Sequence, residues 1–382
     1  MKVYLLVLLI AAATTYLLTP LARWLALRTG AVTAVRARDV HMVPTPRLGG
    51  VGMLLGMTVA FIFASQVPYL RDVFSGDLST CLAGSCNSAW TILIGAAMVC
   101  VLGVADDIWD LDWMVKLVGQ VAASGFVAWQ GVQLISVPIG GLTIGSSRTS
   151  MLVTIFVIVL VMNAVNFVDG LDGLAAGIVA IGGAGFFVYT YLLTQQTSPG
   201  GYASVAITVI AAVVGACIGF LPHNFHPAKI FMGDSGSMVL GFMMASASIL
   251  VTGQIDPSSI APGRSIPALA PILLPAAVLI LPLVDMGLAV IRRLAAGNSP
   301  FAPDRLHIHH RLLGLGHSHL QAVWVMYLWS AVFAFGAVAL FIFQFRYVAA
   351  AGFGAILIML VVTVWPMLAR KFHAQPSTER AM

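Results

Sequence analysis

Continuous apolar runs of about 20 residues recur near 3–19, 49–67, 89–105, 113–130, 151–168, 172–194, 203–221, 237–254, 268–290, 323–343 and 347–369. A helix of that length crosses the roughly 30 Å hydrocarbon core of a bilayer. A porin-type strand would instead alternate apolar and polar positions. The pattern predicts an all-α, polytopic integral membrane protein with about eleven transmembrane helices. Residues 1–369 read as a single transmembrane catalytic domain with polar loops at 20–48, 222–236 and 291–322, followed by a polar tail at 370–382.

Flanking charge orients the bundle. The first run has one Lys before it, no small-x-small cleavage site after it, and then Arg23, Arg28, Arg36 and Arg38. That is an uncleaved span with its N-terminus outside and, by alternation, a cytoplasmic C-terminus. The inside segments and their flanks then hold 14 of the 19 Lys and Arg, leaving Lys2, Arg71, Arg148, Arg264 and Arg346 outside. The same assignment puts all nine His and 11 of the 14 acids inside. The outside loop 68–88 is among the longest yet has no His, so loop length does not explain the bias. An active site on the cytoplasmic face is expected. Cys81 and Cys86, in that outside loop, could form a disulfide in an oxidising compartment. Cys100 and Cys217 read as small core residues.

Composition narrows the class. Apolar residues make up 60% of the 382 residues and Asp, Glu, Lys and Arg only 9%, against about 25% charged in a soluble domain. A soluble fold and intrinsic disorder are both excluded, and four Cys exclude a disulfide scaffold. Thirteen of the 14 acids are Asp, with Glu379 the exception, a bias suggesting short, rigid carboxylates placed for chemistry.

Five polar motifs fall on the predicted cytoplasmic face. The third run ends in Asp106-Asp107-Ile108-Trp109-Asp110, with Lys116 in reach. Adjacent carboxylates at a membrane boundary need a cation, basic partners or water. Between 149 and 228 the charged side chains are Asp169 and Asp172. At helical spacing they share a stripe with Asn163 and Asn166. Phe231-Met-Gly-Asp234-Ser-Gly-Ser237, preceded by Asn224 and Lys229, reads as a helix N-terminus offering free N–H groups to phosphate, with Asp234 a hard-oxygen ligand for Mg²⁺. His307-Ile-His309-His310 suits phosphate oxygens or a metal, whereas His317 and His319 read as surface residues. Arg36 to Gly50, including Pro44-Thr-Pro-Arg47, reads equally as a phosphate-binding turn or as positive-inside residues meeting headgroups. Together these suggest chemistry on a phosphorylated substrate with Mg²⁺ at the water–lipid boundary.

These blocks, in this order from Pro44 to His310, resemble the polyprenyl-phosphate N-acetylhexosamine-1-phosphate transferases of bacterial inner membranes. His307-Ile-His309-His310 and Pro44-Thr-Pro-Arg47-Leu-Gly-Gly resemble the GlcNAc-1-phosphate branch, related to phospho-MurNAc-pentapeptide transferase. The resemblance implies transfer of GlcNAc 1-phosphate from UDP-GlcNAc to a polyprenyl phosphate, giving UMP; another UDP-N-acetylhexosamine or UDP-MurNAc-pentapeptide is the alternative donor. It implies Asp234 and Asp107 at Mg²⁺, with Mn²⁺ an alternative, and Asp106, Asp169 and Asp172 in the catalytic centre. Asn163, Asn166, Asn224 and Phe231 would line the nucleotide site, and Arg47, Lys116, His307, His309 and His310 would hold phosphates. Substrates and membrane lipid are the expected partners, a homodimer is compatible, and nucleic acid is not expected. A proton-coupled transporter is the rival class, but its Asp residues would sit at midplane rather than at span ends.

Overall fold

The computed structural model describes residues 1–32, 44–74, 87–134, 146–195, 202–254, 275–297, 299 and 307–373. Arg36, Arg38, Cys81, Cys86 and most of the tail lie outside them. The described chain is helical: α1 Lys2–Thr29, α2 Gly49–Gln66, α3 Ser88–Trp109, α4 Trp113–Trp129, α5 Ser147–Val168, α6 Leu174–Thr194, α7 Tyr202–Asn224, α8 Asp234–Gln254, α9 Ile280–Ala295, α10 Ile308–Leu315, α11 His319–Ile342 and α12 Phe345–His373.

Nine of these helices are long and apolar enough to cross a membrane, which makes the chain a multi-pass membrane protein. The two other expected spans are α4, only 17 residues long, and the run 268–290, of which the described part begins α9. The helix α3 runs past the apolar boundary to Trp109, so Asp106 and Asp107 belong to its last turn.

The helices are layered around α8, which packs on α5, α3, α7 and α2. The apolar stretch of α8 is 100% buried and that of α7 89%, whereas α12 is 6% buried and leans on α11 at the edge. In lipid an apolar surface does not by itself draw helices together, and small residues set which ones approach closely. A Cβ on Gly103 of α3 would overlap the backbone of Ser235, and one on Gly50 of α2 would overlap Ser235 and Gly236. The start of α8 is thus gripped on two sides. Beside it the chain 46–50 runs along 231–232: Phe231 donates its N–H to the Pro46 carbonyl at 2.8 Å, and Gly49 donates to the Phe231 carbonyl at 3.0 Å.

Substitution of Gly103 tests this crossing. Gly103→Ala should lower the thermal stability of the solubilised protein by about 1–3 kcal/mol, because backbone cannot yield as a side chain can. Gly125→Ala is the control, since its Cβ would meet only the Ile155 side chain at 3.7 Å. Melting curves followed by thiol-dye fluorescence separate the two.

Candidate active site

The end of α3 meets the start of α8 through one carboxylate. Asp107 accepts the backbone N–H of Asp234 at 3.0 Å and of Ser235 at 3.1 Å. The next two N–H groups, of Gly236 and Ser237, bond back to the Gly233 carbonyl. The α8 N-terminus therefore does not offer free N–H groups to a phosphate, contrary to the sequence reading: its first turn is already capped by Asp107 and closed on itself. Gly233, at φ +68, leaves room for the Asp107 carboxylate where a Cβ would collide with it.

Capping in this way sets the Asp234 side chain among the other motifs. Its Oδ1 accepts from Asn166 Nδ2 at 3.0 Å, and Asn166 also donates to Ser237 Oγ at 2.9 Å. Lys116 Nζ lies 3.2 Å from Asp106 Oδ2 and 3.5 Å from Asp234 Oδ2. Asp106 also accepts the Leu111 N–H at 2.9 Å. Asp110 ends α3 in a left-handed conformation, and Asp112 caps α4 through Met114 N–H. These two acids thus have local structural duties.

Asp169 and Asp172 do not continue the helical stripe of Asn163 and Asn166. The helix α5 stops at Val168, and residues 169–173 form a turn that closes at Gly173, φ +76. The two carboxylates separate in consequence. Burial raises Asp169 to about 8, reinforced by the charges of Asp234, Asp107 and Asp172 and opposed by Arg47. Buried Asp172 turns the other way, accepting from Ala228 N–H at 3.1 Å and lying 2.7 Å from His226 Nδ1. Asn224 holds this turn, accepting from Gly173 N–H and donating to the Ile230 carbonyl, both at 3.0 Å. Asn163 Nδ2 donates to Gln120 Oε1 at 2.8 Å.

Two candidate metal centres follow. Asp172, His226 and His319 bring ligand atoms within 4.8 Å of one another. The 2.7 Å Asp172–His226 contact is a hydrogen bond, closer than the ~3.3 Å between ligands on tetrahedral Zn²⁺. The other centre is the carboxylate cluster. Asp106, Asp107, Asp169 and Asp234 converge, with Lys116 in contact and Arg47 facing Asp169. Such a hard-oxygen set suits a divalent cation.

The His motif closes the site from α10. A Cβ on Gly170 would meet the His309 ring, which places His309 against the 169–173 turn. Burial, then the neighbouring His310, lowers the His309 pKa to about 3, so this ring is neutral in the folded protein at ordinary pH. His307 and His309 stack with centroids 5.7 Å apart, and the His310 ring is tilted against His309 at 4.3 Å. His317 and His319 are not the surface residues the sequence suggested. His317 is buried and bonded to the Thr363 carbonyl at 2.9 Å, and His319 stacks on His226. Sequence reasoning missed His226 and also Asp285, which bonds His307 from α9.

A cavity of about 450 Å³ runs from this cluster between α4, α5, α8 and α9. Asp234, Lys116 and Asn166 line its polar end, and Leu160, Phe156 and Val290 its apolar length.

The chain is 42% identical to the decaprenyl-phosphate N-acetylglucosaminephosphotransferase of Mycobacterium tuberculosis (strain H37Rv), over 94% of this chain and 88% of that one. The profile of glycosyl transferase family 4 matches residues 89–252. The chain belongs to glycosyl transferase family 4, the polyprenyl-phosphate HexNAc-1-phosphate transferases. Two further relatives are less similar. A probable undecaprenyl-phosphate N-acetylglucosaminyl 1-phosphate transferase of Bacillus subtilis is 32% identical, over 87% of this chain and 83% of its own. The phospho-N-acetylmuramoyl-pentapeptide-transferase of Desulforudis audaxviator is 28% identical, over 72% and 79%. The family profile spans α3 to α8, which carry Asp106, Asp107, Asn166, Asp169, Asp172 and Asp234. It does not reach the His motif.

The lowered His309 value has a consequence for stability. Between pH 6.5 and about 3 the unfolded chain holds a proton on His309 that the folded chain lacks. Acid therefore favours unfolding through this group. Melting temperature should fall more steeply from pH 7 to pH 5 in the wild type than in His309→Gln, and parallel slopes would contradict it.

Proposed function

We propose that this chain transfers GlcNAc 1-phosphate from UDP-GlcNAc to a polyprenyl phosphate, such as decaprenyl phosphate, with Mg²⁺. The donor and acceptor follow the names of the mycobacterial relatives, 42% identical over 94% of the chain. The observation that carries the reading is the apolar cavity that ends on Lys116, Asn166 and Asp234. A polyprenyl tail needs an apolar channel, and its phosphate needs a cation at the channel's end. The active face is the cytoplasmic one, in a bacterial inner membrane, with the N-terminus outside. This orientation rests on the Arg and Lys of the loops at that end.

In this reading the acceptor phosphate lies at Lys116 and one of its oxygens attacks the β-phosphorus of UDP-GlcNAc. A new phosphorus–oxygen bond forms on that side, and the bond to the bridging oxygen breaks on the other. UMP leaves with that oxygen, and polyprenyl diphosphate-GlcNAc remains. A phosphate monoester has a second pKa of about 6 and is mostly a dianion at pH 7, so little is gained from a strong general base. Asp106, tied to Lys116, orients the acceptor instead. Asp234 and Asp107 would hold Mg²⁺, which when bound neutralises charge on the diphosphate. Asp169, Asp172, Asn166, Asn224 and Phe231 serve the nucleotide side, with Arg47 and the His motif on its phosphates.

Solubilised protein given radiolabelled UDP-GlcNAc and decaprenyl phosphate should move label into the organic phase with one UMP released per transfer. Asp234→Asn should reduce that rate by about 100-fold or more. Label moved only from UDP-GalNAc or UDP-MurNAc-pentapeptide would overturn the donor, and no label from any donor would overturn the transferase reading. UMP exchange into UDP-GlcNAc without acceptor would replace direct displacement by a phospho-enzyme.

A further inference from the structure

Asp285 stands in the apolar face of α9 and is 1% exposed. A carboxylate buried this deeply carries a large desolvation cost unless its oxygens are bonded. Both are: Oδ2 lies 2.9 Å from His307 Nδ1, and Oδ1 accepts the Ile308 backbone N–H at 2.7 Å. An ionised carboxylate only accepts, so the proton of the first bond belongs to Nδ1. Nε2 is then the ring atom left to meet a ligand. The second bond caps the first turn of α10, which has no side-chain cap of its own. One side chain therefore sets both the Nδ1 proton of His307 and the seating of the helix that carries His309 and His310. The His307 ring is bracketed further by Phe167 at 5.7 Å and His309 at 5.7 Å. Phe167 also lines the cavity beside Asn166 and Asp234, so the bracketed ring lies next to the reacting end.

We propose that Asp285 is a positioning residue for the transfer, acting through His307: it accepts the Nδ1 proton, so that a ring protonated at both nitrogens donates its Nε2–H to a substrate phosphate. This rests on the reading of the His motif as phosphate-holding. The alternative is that Asp285 merely anchors α10.

Asp285→Asn separates these. The amide oxygen can still cap Ile308, but its NH₂ would face Nδ1 and leave that nitrogen without its proton. The expected result, in full-length solubilised protein, is an unchanged melting temperature, a kcat lower by about 100-fold and a KM for UDP-GlcNAc within about 3-fold of wild type. In a His307→Gln background the same substitution should cost less than about 3-fold further. Wild-type kcat in Asp285→Asn, or losses that multiply fully in the double variant, would overturn the proposal. Wild-type protein labelled with ¹⁵N-histidine provides a second measurement that does not depend on the variant folding. The His307 signal, identified by its absence in His307→Gln, should show both ring nitrogens protonated, and a bare Nδ1 or a bare Nε2 would overturn the proposal. Should wild-type protein move no label at all, the transferase reading fails, and the nitrogen spectrum still decides the role of Asp285.

Discussion

The arrangement of the site depends on the bond between the Asp107 carboxylate and the first two N–H groups of α8. Helices in lipid gain little from apolar contact, because the surrounding tails are equally apolar. Close packing and polar bonds must fix which helix end meets which. Asp107, only 9% exposed, would be costly to bury alone. It finds compensation in two backbone donors at the positive end of a helix. Because Asp234 is the first residue of that helix, the bond that stabilises Asp107 also delivers the Asp234 carboxylate to Asn166 and Lys116.

The same contact concentrates negative charge. Four carboxylates converge: Asp106, Asp107 and Asp234 each accept from a backbone or amide N–H, and Lys116 lies 3.2 Å from Asp106 and 3.5 Å from Asp234. Neutral donors reduce the cost of charge without cancelling it. Asp169 is raised first by burial and then by the charges of Asp234 and Asp107. The adjoining cavity extends from this polar end into apolar walls of α5 and α9, so a substrate with one charged end and a long greasy tail would match it along its length.

Much of the architecture was legible because charge is so scarce. With 9% charged residues, clustered Asp residues stood out, and the motifs around Asp106, Asp169, Asp234 and His307 do converge. What failed were inferences about local geometry. The spacing of Asn163, Asn166, Asp169 and Asp172 fits one helical face, but Gly170 and Gly173 let the chain turn after Val168, and Asp172 left that face for His226 and Ala228. The free N–H groups expected before Ser237 were a sound inference for an isolated helix end; their partner, Asp107, lies 127 residues away in sequence. Asp285 gave no signal of its own. It is a single acid in an apolar run, and only the fold shows that it meets His307.

The preference for Asp over Glu acquires a physical reason from these contacts. Asp106 takes the N–H of Leu111, Asp107 those of Asp234 and Ser235, Asp172 that of Ala228, and Asp285 that of Ile308. In each case the carboxylate lies against backbone, at a helix end or a loop, while its other contacts reach a functional side chain or a neighbouring N–H. One methylene keeps the carboxyl close to its own backbone and leaves few rotamers to lose. A Glu would stand farther off with more freedom and could not hold two short bonds at such helix crossings. The composition bias first suggested carboxylates placed for chemistry. Many of them are placed for architecture as well, because in lipid the end of a helix is where unsatisfied backbone donors remain and where a charged side chain can be compensated.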